Sequence, residues 1–189
     1  MKSPSRFMPE RALIPYLLIL ASIFTTAFLA GIFAPPPARQ QVTEAFLLVS
    51  GQYLDLAGGT LFFFLLLHNV MASLLLLASG LLFGIIPILS VGFNGFFLGV
   101  LYRQAAELAG YSKAALKVSP HGFFEIPALL FAASYGLWLG MAVLRRIRGK
   151  ESTLLRFHIE HAFRRYFTVV FPLLVIAAAI ETALILWLE

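Results

Sequence analysis

The chain has 189 residues, of which 60% are hydrophobic and 12% charged, and its mean hydropathy is +0.90. Soluble domains carry about a quarter charged residues, so water is not the main solvent of this chain. The net charge of +5 sits in clusters flanking apolar segments with no aromatic-interleaved basic stripe, which argues against a nucleic-acid partner, and the lack of cysteine excludes disulfides, thiolate metal sites and a cysteine nucleophile.

The expected class is all-α: a polytopic transmembrane helical bundle of about five spans, forming one membrane domain over 1–189. Several apolar runs reach the ~20 residues needed to cross a hydrocarbon layer. The first, at about 12–33, follows Lys2 and Arg6 but is longer than a signal-peptide core, so it reads as a retained helix. Pro35, Pro36 and Pro37 end it, because proline removes the helix donor and clashes with the preceding turn. Val42, Phe46, Val49, Tyr53 and Leu56 then recur at spacings of four and three. That places them on one face of a surface helix at about 40–55.

From 60 to 102 the sequence is apolar almost without pause, which is twice the length one helix needs. Spans at about 60–80 and 84–103 follow, folded back near 79–87, where Gly80, Gly84 and Pro87 loosen the backbone. A tight hairpin and a re-entrant pair both fit. A polar connection at 103–119 leads to a fourth span at 120–144, with Ser119 as N-cap and Pro120 as first helical residue. A basic amphipathic connector at 145–166 carries Arg145, Arg146, Arg148, Lys150, Arg156, Arg164 and Arg165, and a final span runs over 167–188. Lys2, Arg6 and Arg11 with those seven make ten of the fourteen Lys and Arg on one side, which predicts a cytoplasmic N-terminus, an outer C-terminus and a multi-pass protein of the cell membrane. In the connector, His158 and His161 read as solvated residues of an interfacial helix, with the basic members drawn to anionic lipid.

Small residues stand four apart at Ala27 and Gly31, Gly80 and Gly84, Gly95 and Gly99, and Gly136 and Gly140. In lipid such pairs let helix backbones approach closely. Packing within the chain is the plain reading, and a homodimer face is the alternative.

Polar groups inside a span each require a partner or a function. They are His68 and Asn69 in the second span, Asn94 in the third, His121 and Glu125 in the fourth and Glu181 in the fifth. Counted from the outer ends of their helices, Glu125 lies about five residues in and Glu181 about seven, roughly 8–11 Å deep. His68 and Asn94 lie about eight and nine residues in, so the set is expected to gather in one outward-opening pocket. His121 and Glu125, four apart, share a helix face. Gly122 admits a neighbouring backbone, and Pro127 deprives the carbonyl of Phe123 of its donor, so the stretch is built to kink.

Four roles are open to this cluster: a buried hydrogen-bond network, a proton or ion relay through Glu125 and His121, a metal site, or membrane hydrolysis. For a metal, His68, His121, Glu125 and Glu181 supply ligand types that suit zinc, but no HExxH motif is present and no cofactor is expected. Ser134 and Ser90 lack a GxSxG context, and no enzyme activity is expected.

Pro120-His121-Gly122-Phe123-Phe124-Glu125-Ile126-Pro127-Ala128, preceded by Asn94-Gly95-Phe96-Phe97-Leu98-Gly99 and by Asn69, resembles the stage II sporulation protein M family over about 58–140, with Gly136 and Gly140 fitting the same pattern. The resemblance implies a polytopic membrane protein. Its sporulating members belong to a peptidoglycan-degrading complex in which the hydrolases are partner proteins and the family member looks like their membrane scaffold, while other members occur in organisms that form no spores, archaea included. Asn94, Gly95, Pro120, His121, Gly122, Glu125 and Pro127 are the positions carried over. The expected function is a non-enzymatic scaffold that meets membrane lipids and other membrane or cell-envelope proteins. A small transporter or lipid-handling protein using the same pocket is the alternative.

Overall fold

The computed structural model describes residues 12–50, 56 and 58–188. It is all-helical over the described residues, with α1 at Ile14–Ile32, α2 at Pro36–Ser50, α3 at Gly58–Ser79, α4 at Ile85–Ala109 and α5 at Tyr111–Pro120. A π turn at His121–Glu125 leads into α6 at Ile126–Ile147, and α7 at Leu155–Arg165 runs through a second π turn, Tyr166–Val170, into α8 at Phe171–Leu188. Among the described residues five helical stretches are long and apolar enough to cross a membrane: Ile14–Ile32, Gly58–Ser79, Ile85–Ala109, Gly122–Ile147 and Leu155–Leu186. The fourth is the axis of the bundle, since 61% of its apolar window is buried, against 17–28% for the others.

Two glycine-lined crossings set the arrangement. Where α1 meets α4, a Cβ on Gly95 would run into the Phe24 backbone, one on Gly99 into the Phe28 carbonyl, and one on Gly31 into the carbonyl of Phe96. The second crossing brings Gly80 onto the backbone of Gly136, and Gly140 onto Gly84 and Phe83. Residues 80–84 form a tight turn rather than a re-entrant loop, for α3 and α4 are each long enough to span. Phe83 and Gly84 close it in the left-handed region, with φ of 60° and 74°. The small-residue pairs therefore serve packing within the chain: dispersion contact between backbones substitutes for the hydrophobic drive that lipid removes.

Several predicted boundaries move. The proline run ends α1, but Pro36 also opens α2, because a proline at the start of a helix gives up only a donor that has no partner there. α2 does not merely lie on the membrane: Phe46 meets Phe97 edge-on at 6.1 Å, Thr43 hydrogen-bonds Gln104, and Arg39 pairs with Glu107 at 2.7 Å, so it is clamped to α4. Its expected continuation to Tyr53 lies outside the described residues. α4 runs on to Ala109 and ends at Gly110, whose φ of 87° suits glycine.

Ser119 and Pro120 do not start the fourth span. Helix is already present from Tyr111, Pro120 is the last residue of α5, and the chain enters α6 through the π turn without a cap. The basic connector is likewise mostly helical: α6 extends to Ile147, Gly149 turns the chain at φ 68°, and the last span begins as α7 at Leu155. An amphipathic segment with one buried face extends the apolar helix it adjoins, because each added residue gains a backbone hydrogen bond with no new nucleation cost.

Candidate functional site

Polar side chains collect at three levels of the bundle, beginning with the π turn. A π turn carries one residue more than an α turn, and such turns recur at functional sites. Both here end two residues before a proline, His121–Glu125 before Pro127 and Tyr166–Val170 before Pro172. A proline ring crowds the carbonyl four residues back, and the widened turn lets a continuous helix pass it. The first turn packs chiefly on α5, α6 and α8, and so carries Glu125 to the helix that carries Glu181. Both carboxylate residues are half-buried and both have interaction partners. Thr182, next to Glu181, is buried at 7% exposure, and its hydroxyl has no hydrogen bond among the described residues. The open space around Gly122 would accept a Cβ without contact. The side chains of Pro120 and His121 lie outside the described residues, as does that of Trp187.

The structure does not bring His68 and Asn94 to this turn. His68 is exposed on α3 and stacks on Phe64 of its own helix, with ring centroids 6.3 Å apart. Asn94 is exposed on α4, where its Nδ2 donates to the Ser90 carbonyl at 2.8 Å, while Gly95 beside it faces α1. Asn69 is half-buried, its carbonyl accepting from Ser73. Among the described residues no three His, Asp or Glu side chains converge as a metal would need. Ser134 is wholly buried and donates to the Leu130 carbonyl at 2.6 Å, the usual satisfaction of a serine inside a helix.

A second level escaped the sequence. Tyr166, fully buried in the second π turn, places its hydroxyl 2.7 Å from Ser73 Oγ and donates to the Val70 carbonyl at 3.2 Å. In the sequence Tyr166 is only the last residue of a basic amphipathic connector. The signal was Pro172, at the spacing that Pro127 shows in the other turn.

The third level is the basic end. His158 and His161 are not simply solvated. His158 is 8% exposed, and the Trp138 ring lies 4.9 Å from its ring and 5.7 Å from that of His161. Glu151 reaches His158 Nε2 at 3.8 Å and accepts from Arg145 Nε at 3.4 Å and from the Thr153 amide at 3.2 Å. Its partial burial opposes ionisation, but Thr153, the His158 charge and Arg145 outweigh it, so its pKa stands below the ordinary carboxylate value of 4.5. Nearby, a cleft of about 230 Å³ is lined by Leu13, Leu17, Phe131, Tyr135 and Arg165 among others.

Comparison with known proteins identifies the family. A family model described as stage II sporulation protein M matches residues 17–184. An uncharacterized protein of Methanocaldococcus jannaschii is 30% identical over 118 residues, which are 62% of this chain and 66% of that relative's length. No solved structure matches.

Proposed function

The chain belongs to the stage II sporulation protein M family, a multi-pass membrane protein with five apolar helices, and from that premise we propose that it is a non-enzymatic scaffold of a membrane complex. The supporting observation is the pair of glycine crossings. With Gly80, Gly84, Gly136 and Gly140 in backbone contact, the central helices have no side-chain layer over which to slide, and a bundle locked in this way suits a platform better than a carrier that must rock between two states. The outer end, where α5, the His121–Glu125 turn and α8 meet, presents the functional polar groups to a cell-envelope partner. The N-terminus and the α6–α7 turn are cytoplasmic, following the positive charge.

The test is capture of partners by the full-length protein from native membranes, with and without Glu125→Gln. A scaffold keeps the same partners. A proton relay instead loses proton-driven flux in proteoliposomes, since a carboxamide cannot release a proton, and that result with partner capture unchanged would replace the scaffold reading by transport.

A second reading, lipid handling, is favoured by the cleft at the basic end. Its lining residues are apolar apart from Arg165 and Tyr135, a composition suited to an acyl chain with an anionic headgroup. Arg165→Gln would then lower retention of anionic phospholipid through purification, and unchanged lipid content would remove this reading.

A further inference from the structure

Asn94 is a polar side chain exposed at mid-span. It lies nine residues from the start of α4 at Ile85, roughly 14 Å along a helix of some 38 Å, so its depth is near the centre of the bilayer. Its rotation is fixed: Gly95, the next residue, is pressed on the Phe24 backbone, and Gly99 on Phe28 and Gly31. Turning α4 to hide Asn94 would push side chains into α1. Exposed apolar residues, Ile86, Leu89 and Phe93, flank it and suit lipid. Asn94 does not.

A carboxamide has two N–H donors and an oxygen with two lone pairs. One N–H is given to the Ser90 carbonyl. Among the described residues the second N–H and the oxygen of this exposed side chain have no partner, hydrocarbon offers none, and such groups are satisfied across helices. The unused pair, one donor and one acceptor, is self-complementary.

We propose that α4 is a self-association surface, in which two copies of this chain pair about a two-fold axis along the membrane normal and Asn94 of each hydrogen-bonds Asn94 of the other. Identical copies inserted in the same direction hold Asn94 at the same depth, and an isologous contact sets a residue near the axis opposite itself. Ser90, four residues earlier on the same face, and the rim of Ile86 and Phe93 complete the contact. The glycine stripes, consumed within the chain, are not the dimer face.

The natural chain contains no cysteine, so single-cysteine variants report without background. In the full-length protein reconstituted in phosphatidylcholine vesicles, Ser90→Cys treated with a short bis-maleimide gives a dimer, whereas Leu18→Cys, exposed on α1, does not. Adding Asn94→Leu raises the dimer dissociation constant roughly 5- to 30-fold, and Asn94→Gln, which keeps the carboxamide, restores most of the cross-linking. Leucine suits lipid, and an unchanged melting temperature of the Asn94→Leu monomer verifies the fold. Three results overturn the proposal: no cross-link at any protein-to-lipid ratio, equal yields from Ser90→Cys and Leu18→Cys, or, in native membranes, cross-linking of Ser90→Cys to a different membrane protein in place of its own copy.

Discussion

The hydroxyl of Tyr166 meets that of Ser73 at 2.7 Å in a fully buried position, which ties the start of the last span to the neighbouring α3. The contact depends on the π turn at Tyr166–Val170. By adding one residue to the turn, it rotates the α7 side of the break relative to α8, so that a tyrosine at the end of a basic amphipathic segment points inward. Ser73 also bonds the Asn69 carbonyl at 2.7 Å, so the tyrosine docks on a serine already held in place. The same device, a widened turn two residues before a proline, places Glu125 at the opposite end of α6.

Tyr166→Phe removes the hydroxyl while leaving the ring packed and Ser73 still bonded to its own helix. The expected loss is about 0.5–1.5 kcal/mol, the range for one hydrogen bond inside a membrane protein, read from unfolding in mixed detergent micelles. Ser73→Ala should cost a similar amount, and the double variant less than the sum of the two. Strict additivity would mean that the two hydroxyls do not act as a pair.

Gly140→Ala and Gly122→Ala are expected to behave oppositely. A methyl group on Gly140 would collide with the backbone of Gly84 and Gly80, atoms that have no rotamer by which to retreat. Overpacking of this kind costs about 1–3 kcal/mol or more. A methyl on Gly122 meets nothing within 4 Å, and alanine is favoured over glycine in a helix by up to about 1 kcal/mol. Thermal melts in detergent should show the first variant destabilised and the second unchanged or more stable. If Gly122→Ala keeps its stability but loses partner capture, that glycine serves the contact with a partner.

The spans were legible because bilayer thickness imposes a length on apolar runs, and α1, α3 and α4 begin and end within a few residues of punctuation that a reader can see: Pro35, Gly80, Gly84. Where apolar helix continued into amphipathic helix, no such mark existed. Polarity alone marks α5 and α7 as connections in the sequence, although a helix with one buried face needs no break. The polar residues themselves could be listed from the sequence, but not the direction each faces. Asn94 and Gly95 are neighbours in sequence, yet one is exposed and the other buried against α1, a distinction that depends on which side of α4 the glycines press. Tyr166 was invisible for a related reason, since one extra residue in a turn shifts every later side chain by about 100°.

Sidedness can be read from the same cysteine-free background. Lys150→Cys, in the turn between α6 and α7, and Lys113→Cys, in α5, lie at opposite ends of the bundle. In intact cells an impermeant maleimide should label Lys113→Cys and leave Lys150→Cys untouched until the membrane is broken. The reverse pattern would place the ten Lys and Arg outside and overturn the assignment from charge.

Acid should loosen the basic end first. Glu151, with its side chain 19% exposed, is held ionised by Thr153, Arg145 and His158 more strongly than partial burial opposes it. A carboxylate whose pKa is lower in the folded than in the unfolded state contributes stability that is fully present above the ordinary value of 4.5 and is lost as pH falls through the folded-state value. Unfolding followed through tryptophan fluorescence should therefore show a drop in stability as the pH falls below the ordinary carboxylate value of 4.5. Glu151→Gln should flatten that drop and lower stability at neutral pH by about 1 kcal/mol or less, the scale of a partly exposed ion pair. The outcome that refutes this is a Glu151→Gln protein with the same acid-dependent loss as the natural chain, for the responsible carboxylate would then lie elsewhere, with Glu160, which pairs with Arg156 at 2.6 Å, the next to replace.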